Sequence, residues 1–409
     1  MSEIFGVIKA KKSLFIDFLY NFFASVLSTG VLQLVLYPWL SRQMTSAQYG
    51  VILTIMGVVN TIAGAIGGSL NNARLVMEAE YSEKERRGDF LPMLMAGNIL
   101  GMIAMIIYLL SQGESNYIVL VGVSFVIFAS SFRNYASVYY RICLNYKRIL
   151  ILSALVAIGN IIGLLIIRTT EIYSFWFLVF LIGEVFGALY LLLFSDIRKD
   201  VFKFTLLAKK VISVEAALFI TTLIANLLMY LDRLLLLPVL GGEAVSTYTV
   251  ASFLGKSFGV IMAPLSGVLL SYYARRNYVM SRRKFWGINV SMLFISIPFF
   301  LACVIISRFI TGLFYPTLID EAAPYLIIAN AAAILNTTGN MTQPAVLKFA
   351  NVNWQIVIQV AYAVVYLGTG YLGACIDGLW GFTLAAVFAS VTRLLLLYVV
   401  GNFSIGNKR

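Results

Sequence analysis

The length of its apolar runs constrains this chain more than any other feature. Segments such as Leu14–Leu40 and Val211–Leu240 are almost continuously apolar and show no amphipathic stripe. A run of about 20 such residues crosses the hydrocarbon core as a helix, because a helix satisfies its own backbone N–H and C=O groups where no water reaches them. A membrane β-barrel would instead show short alternating segments. Charged residues make up only 12% of the chain, against about 25% in soluble domains, so there is too little polar surface for a water-exposed fold. The sequence therefore specifies an all-α, polytopic membrane protein in the cell (inner or plasma) membrane.

Polar breaks divide the chain into about twelve spans: 13–40, 47–74, 89–111, 117–141, 149–168, 173–195, 211–238, 246–273, 285–309, 322–347, 354–373 and 377–401. Basic clusters at 9–12, 74–87, 141–148, 198–210 and 275–284, with Lys348, Lys408 and Arg409, fall on one side, and only Arg42, Arg168 and Arg308 on the other. Excess Lys and Arg mark the cytoplasmic side, which puts both termini there. The opening MSEIFGVIKAKK reads as a basic flank and not a signal peptide, because the run after it is too long for an h-region.

The same distribution disposes of nucleic acid as the meaning of a net charge of +12: the cations sit in short loops between apolar runs. Histidine is absent, which removes His-dependent catalysis and His metal sites. The three cysteines, Cys143, Cys303 and Cys375, lack metal or redox spacing. No P-loop or kinase pattern occurs. No enzyme activity, metal or cofactor is expected, and uphill movement of a solute would draw on an ion gradient or on consumption of the substrate.

An internal repeat is visible. LYPWLSRQMTSAQYGV after the first span resembles LLPVLGGEAVSTYTV after the seventh, aligning Pro38 with Pro238 and, with one gap, Tyr49 with Tyr248. Asn134 and Asn145 are echoed at the same separation by Asn340 and Asn351. Transporters are often built from such related halves. The expected division is an N-lobe at 1–195, a basic cytoplasmic linker at 196–210 and a C-lobe at 211–409, with six helices per lobe.

A charge at the centre of a membrane helix costs roughly 2.5–3.5 kcal/mol on insertion scales and is by default a functional candidate. The cations inside spans are Arg133, Arg233, Lys256 and Arg393; the carboxylates are Asp17, Glu184, Glu215 and Asp232. At about 1.5 Å per residue, Lys256 lies near mid-membrane, Arg233 in the outer half, and Arg133 and Arg393 in the inner half. Together they could line a cavity as a cationic ladder for a diphosphate. Structural readings stand beside this one. Asp232 and Arg233 are neighbours and point about 100° apart, so Asp232 could instead neutralise Lys256. Arg133 and Arg393 could snorkel to headgroups. Glu184 is the candidate ion-coupling carboxylate, whereas Asp17 and Glu215 lie near inner ends and could be hydrated. Glycine pairs four apart (64/68, 97/101, 159/163, 183/187, 255/259) favour close helix packing, and Pro264 and Pro344 invite kinks.

The stretches YPWLSRQMTSAQYGV, SLNNARLVMEAEY, FRNYASVYYRICLNYKR and YLDRLLLLPVLGGEAVSTYTVASFLGK together resemble Wzx-type polysaccharide flippases of the multidrug/oligosaccharidyl-lipid/polysaccharide exporter superfamily. The resemblance runs from residue 13 to about residue 400. It implies two six-helix lobes around a central cavity. It also implies alternating-access transfer of an undecaprenyl-diphosphate-linked oligosaccharide to the outer leaflet for capsule, O-antigen or exopolysaccharide synthesis. Carried over by position, Arg133, Arg233, Lys256 and Arg393 would hold the diphosphate, and H+ or Na+ would be the coupling ion in members that use one. Membrane lipid, a polysaccharide polymerase and glycosyltransferases would be the partners. The alternatives are a cation-coupled multidrug antiporter of the same superfamily, disfavoured by the basic excess, and a membrane transferase, disfavoured by the missing His and the short outer loops. Reporter fusions at 196–210 and after Arg409 are expected to read cytoplasmic and one at 112–116 external; the reverse pattern would invert the orientation.

Overall fold

The computed structural model describes residues 16, 19–83, 88–273, 280–350 and 352–406, and every regular element among them is helical. Among the described residues, ten helices are long and apolar enough to cross a membrane. We number the helices α1 Leu19–Ser41, α2 Ser46–Tyr81, α3 Phe90–Ser111, α4 Tyr117–Ile142, α5 Tyr146–Thr170, α6 Phe177–Phe194, α7 Ala208–Met229 and α8 Leu231–Ala251. They continue with α9 Phe253–Tyr273, α10 Arg282–Phe314, α11 Leu326–Phe349 and α12 Val352–Gly406. Asp17 and Asn351 lie outside the described residues.

Two of these helices contain a break. In α8 Gly241 takes φ +84°, a left-handed conformation that glycine adopts without a Cβ clash. In α12 Asp377 and Gly378 leave helical geometry, and the arms on either side fold back so closely that a Cβ on Gly373 would meet the backbone of Gly381. The interruption that hydropathy places between spans 354–373 and 377–401 is this reversal. The one expected between 211–238 and 246–273 coincides with Gly241, and further interruptions occur at Tyr230 and Ser252.

The contacts divide the chain into two compact units, one of residues up to Leu40 with Thr54–Leu231, the other of Ser41–Leu53 with Asp232–Arg409. In this division α7 belongs with α2–α6. The reason is a glycine groove. Along α2, Gly57, Gly64 and Gly68 face Tyr230, Asn226 and Thr222 in turn, so α7 lies antiparallel to α2 in the first unit. A π-turn at Gly64–Gly68 widens α2 at the middle of that groove.

The first unit also holds the linker by two carboxylates, Asp89 buried and Asp200 half-buried. Asp89 accepts hydrogen bonds from the Tyr81 hydroxyl, from Thr205 N at 2.5 Å and from Thr205 Oγ1 at 2.6 Å. Asp200 accepts from Tyr135 at 2.9 Å and from Tyr139. Arg74, expected as a loop cation, is instead 7% exposed, ion-paired with Glu78 at 3.0 Å and set over the rings of Tyr81 and Phe90. In α5 and α6 the glycine pairs let backbones meet: a Cβ on Gly159 would come within 2.8 Å of Gly183 Cα, and one on Gly163 within 2.8 Å of Val179 Cα.

In the second unit α11 packs against α9, α10 and both arms of α12. The segment Ser46–Leu53 crosses α8 through glycines: a Cβ on Gly50 would overlap the carbonyl of Gly242, and one on Gly242 the carbonyl of Ala47. Backbone cannot yield as a flexible side chain does. Gly50→Ala is therefore expected to destabilise the purified protein by roughly 1–3 kcal/mol, the usual range for overpacking. Gly368→Ala, where nothing lies within 4 Å, should leave the melting temperature unchanged; equal melting of both variants would refute the backbone-contact account.

Candidate functional site

The described intramembrane charges of the second unit form one connected set. Asp232 and Arg233 open α8, 6% and 9% exposed. Lys256 lies on α9, whose first turn continues the end of α8 through the Lys256 N–H bond to Ser252 O at 2.9 Å. Lys256 Nζ donates to Asp232 Oδ2 at 2.6 Å; the other oxygen, Oδ1, accepts the Arg233 backbone N–H at 2.9 Å. The Arg233 side chain turns away, as the 100° offset of neighbours requires, and its Nη1 donates to Leu53 O at 2.9 Å. The pairing of Asp232 with Lys256, open in the sequence, is thus realised.

An aromatic series leads from this pair to the fourth cation. Lys256 Nζ lies 5.4 Å from the Tyr248 ring centre, within cation–π range. Tyr248 meets Phe382 edge-on at 5.0 Å, Phe382 meets Tyr366 at 6.0 Å, and Tyr366 meets Tyr362 at 5.7 Å. Arg393 then stands 5.3 Å over the Tyr362 ring. Arg393 is 4% exposed, so it is packed inside its unit and does not snorkel. Its Nη1 donates to Asn336 Oδ1 at 2.5 Å, and its Nη2 to Asn340 Oδ1 at 2.8 Å and Gln343 Oε1 at 2.9 Å. No carboxylate pairs with it among the described residues. Gly339 supplies the room, since a Cβ there would sit 3.3 Å from Nη1.

Hydropathy passes over these three amides, although the sequence carries their signal. Asn336, Asn340 and Gln343 recur at i, i+4 and i+7 in an otherwise apolar span and therefore share a helix face. Beside them, between α9 and α11, lies a cavity of about 370 Å³ whose walls include Thr337, Asn340, Gln343 and Ser266.

The first unit has an ion pair of its own. Arg133 is bound in bidentate fashion to Glu184, at 2.5 Å through Nε and 3.0 Å through Nη2. Gly187 makes space for its stem, because a Cβ there would meet Arg133 Cδ at 2.9 Å. The pair joins a cation and a carboxylate that the sequence singles out separately. Glu215 accepts from Ser69 Oγ at 2.7 Å. Among the described residues no cation pairs with it.

No protein family and no curated protein matches the sequence. Solved structures do. The chain is similar to an inward-facing multidrug-resistance MATE family transporter of the MOP superfamily, at 13% identity over 95% of this chain and 94% of that one, with a TM-score of 0.66. The lipid II flippase MurJ in its inward closed conformation matches at 17% identity over 95% and 86%, also with a TM-score of 0.66. The Vibrio cholerae MATE transporter VcmN, in mutant form, matches at 13% identity over 97% of each chain, with a TM-score of 0.65. The fold is that of the MATE transporters and of MurJ. The chain is accordingly a multi-pass membrane protein whose structural neighbours are transporters and flippases.

Within this MATE- and MurJ-like fold, the second unit's set carries three cations, Arg233, Lys256 and Arg393, against one carboxylate, Asp232. The excess is positive, and aromatic faces separate its two ends. Removing one member of a buried pair leaves the other uncompensated, which costs more than replacing both. Lys256→Met is expected to lower stability by roughly 2–3 kcal/mol, below the 3–5 kcal/mol of a fully buried pair because the Lys256 side chain keeps 31% exposure. The double variant Asp232→Asn/Lys256→Met should recover most of that loss in thermal unfolding of the detergent-purified protein. Strict additivity would show that the pair is not coupled.

Proposed function

We propose that the protein is a flippase that carries an undecaprenyl-diphosphate-linked oligosaccharide from the inner to the outer leaflet of the cell membrane by alternating access. It would do so with both termini in the cytoplasm and without covalent chemistry. The observation that carries this reading is the net positive set of Arg233, Lys256 and Arg393 within membrane helices. Charges in such helices are expensive to hold and mark substrate paths, and guanidinium and ammonium groups are the side chains that bind phosphate oxygens. The Asp232 carboxylate occupies Lys256 as a placeholder that an entering diphosphate would displace. The resemblance in sequence to Wzx-type flippases and the likeness in fold to MurJ point the same way.

The rival reading is a multidrug antiporter, which the likeness to MATE transporters favours. A site for organic cations calls for carboxylates or apolar walls, and the second unit offers cations in excess. In this reading of the protein, Arg133 with Glu184 is a structural pair in the first unit, and Glu215 is left as the carboxylate available to an ion.

Reorientation of a lipid-diphosphate saccharide in proteoliposomes tests the proposal. Arg233→Ala and Lys256→Ala are expected to slow it at least tenfold, whereas Arg133→Met/Glu184→Gln should slow it less than threefold. Full activity in both cation variants, or export of a cationic dye in place of the saccharide, would overturn the reading.

A further inference from the structure

The cavity between α9 and α11 has a polarity pattern that specifies what it can hold. Arg393 has donors and no acceptor, so the amides that touch it must turn their oxygens toward it. Asn340 Oδ1 and Gln343 Oε1 are fixed in this way at 2.8 and 2.9 Å. Both residues also line the cavity, and their NH2 groups are what remains to face it. Among the described residues no hydrogen bond uses either NH2 group. The amides are thereby locked as donors.

The hydroxyls on the same walls are locked in the opposite sense. Thr337 Oγ1 donates its one proton to Ala333 O at 3.0 Å, and Ser266 Oγ donates to Asn340 O at 3.0 Å. A hydroxyl has a single proton, so toward the cavity each can only accept. Met341 and Leu347 supply apolar wall beside them. The cavity thus offers fixed donors, fixed acceptors and an apolar patch, on a buried cationic background whose Nη groups are already engaged.

We infer that this cavity is a subsite for the acetamido group of an N-acetylated sugar. The carbonyl oxygen would accept from the Asn340 and Gln343 NH2 groups, the amide N–H would donate to Thr337 or Ser266, and the methyl would lie against Met341 and Leu347. A phosphate, which has only acceptor oxygens, would face the lone pairs of Ser266 and Thr337. A sugar hydroxyl would match one donor or acceptor but leave the apolar patch unmet. At about 370 Å³ the cavity is near the lower end of ligand sites, about 300–1,000 Å³, and takes one sugar residue. Arg393 acts here as a positioning residue that sets amide polarity. The inference rests on the flippase reading for the source of the sugar, and names a chemical feature of that substrate.

The test is binding to the purified full chain in detergent, by saturation-transfer NMR with titration. The probes are the methyl glycosides of N-acetylglucosamine and N-acetylgalactosamine, methyl glucoside, methyl glucosaminide and inorganic diphosphate. At least one N-acetyl glycoside is expected to bind at least tenfold more tightly than methyl glucoside and methyl glucosaminide, and diphosphate should not displace it. Asn340→Asp and Gln343→Glu keep the side-chain shape but replace a donor by an acceptor. Each is expected to weaken N-acetyl glycoside binding at least tenfold without lowering the melting temperature, since the new carboxylate faces Arg393, and Thr337→Val should weaken it by removing an acceptor. Should Asn340→Asp fail to fold, Gln343→Glu decides alone. Equal binding of the glucoside, displacement by diphosphate, or unaltered binding by the folded variants would overturn the subsite. Proteoliposomes separate this from the transport reading. If lipid-linked sugars with and without the acetamido group move at one rate, the subsite fails and the flippase stands. If neither moves, the flippase reading fails, and glycoside binding alone decides the subsite.

Discussion

Every charge inside this protein has to find its counterpart within the protein, because hydrocarbon offers none. That constraint explains why the described intramembrane charges appear in fixed arrangements: Asp232 with Lys256, Arg133 with Glu184, and Arg393 with three amide oxygens. It also explains where the glycines fall. Gly187 and Gly339 lie beside Arg133 and Arg393, since a guanidinium can reach a buried partner only if the facing helix gives up a side chain.

The three solutions differ in consequence. A bidentate carboxylate cancels Arg133 outright and leaves a static, neutral tie. Amide oxygens satisfy the Nη groups of Arg393 without cancelling its charge, so the second unit retains a positive charge in its interior at a reduced desolvation cost. Asp232 is intermediate: it neutralises Lys256 and also receives the Arg233 backbone N–H, while the Arg233 guanidinium turns to the Leu53 carbonyl and keeps its charge. Arrangements of the second and third kind leave positive charge inside the unit, and that charge is what the proposed function draws on.

Much of the architecture was legible in the sequence because membrane insertion imposes a blunt rule. Long apolar runs located nearly all of the helices, and the tight reversal at Asp377–Gly378 falls at an expected break. The Asp232–Lys256 pair is one of the alternatives that helix geometry leaves open in the sequence. Other features were hidden for identifiable reasons. The basic stretch at 196–210 looks like a boundary, yet the order of the units is decided by three glycines on α2 that accept side chains from α7, a contact more than a hundred residues apart in sequence. Arg74 resembles a loop cation until Tyr81, Phe90 and Glu78 enclose it. The amide face of α11 was present as spacing, but Asn and Gln within an apolar span look unremarkable until a guanidinium is found to organise them.

The widened turn at Gly64–Gly68 alters how α2 is phased. A π-turn holds one residue more than a regular turn, so everything after it is rotated by about 100° relative to an uninterrupted helix. The polar face formed by Asn71 and Arg74 reaches its partners on α4 and α3 only in that rotated frame. Loss of a single residue from the turn would keep α2 helical and apolar while swinging this face off target. The five residues therefore work as a spacer in angle, coupling the identity of a small-residue segment to the aim of polar groups a full turn beyond it.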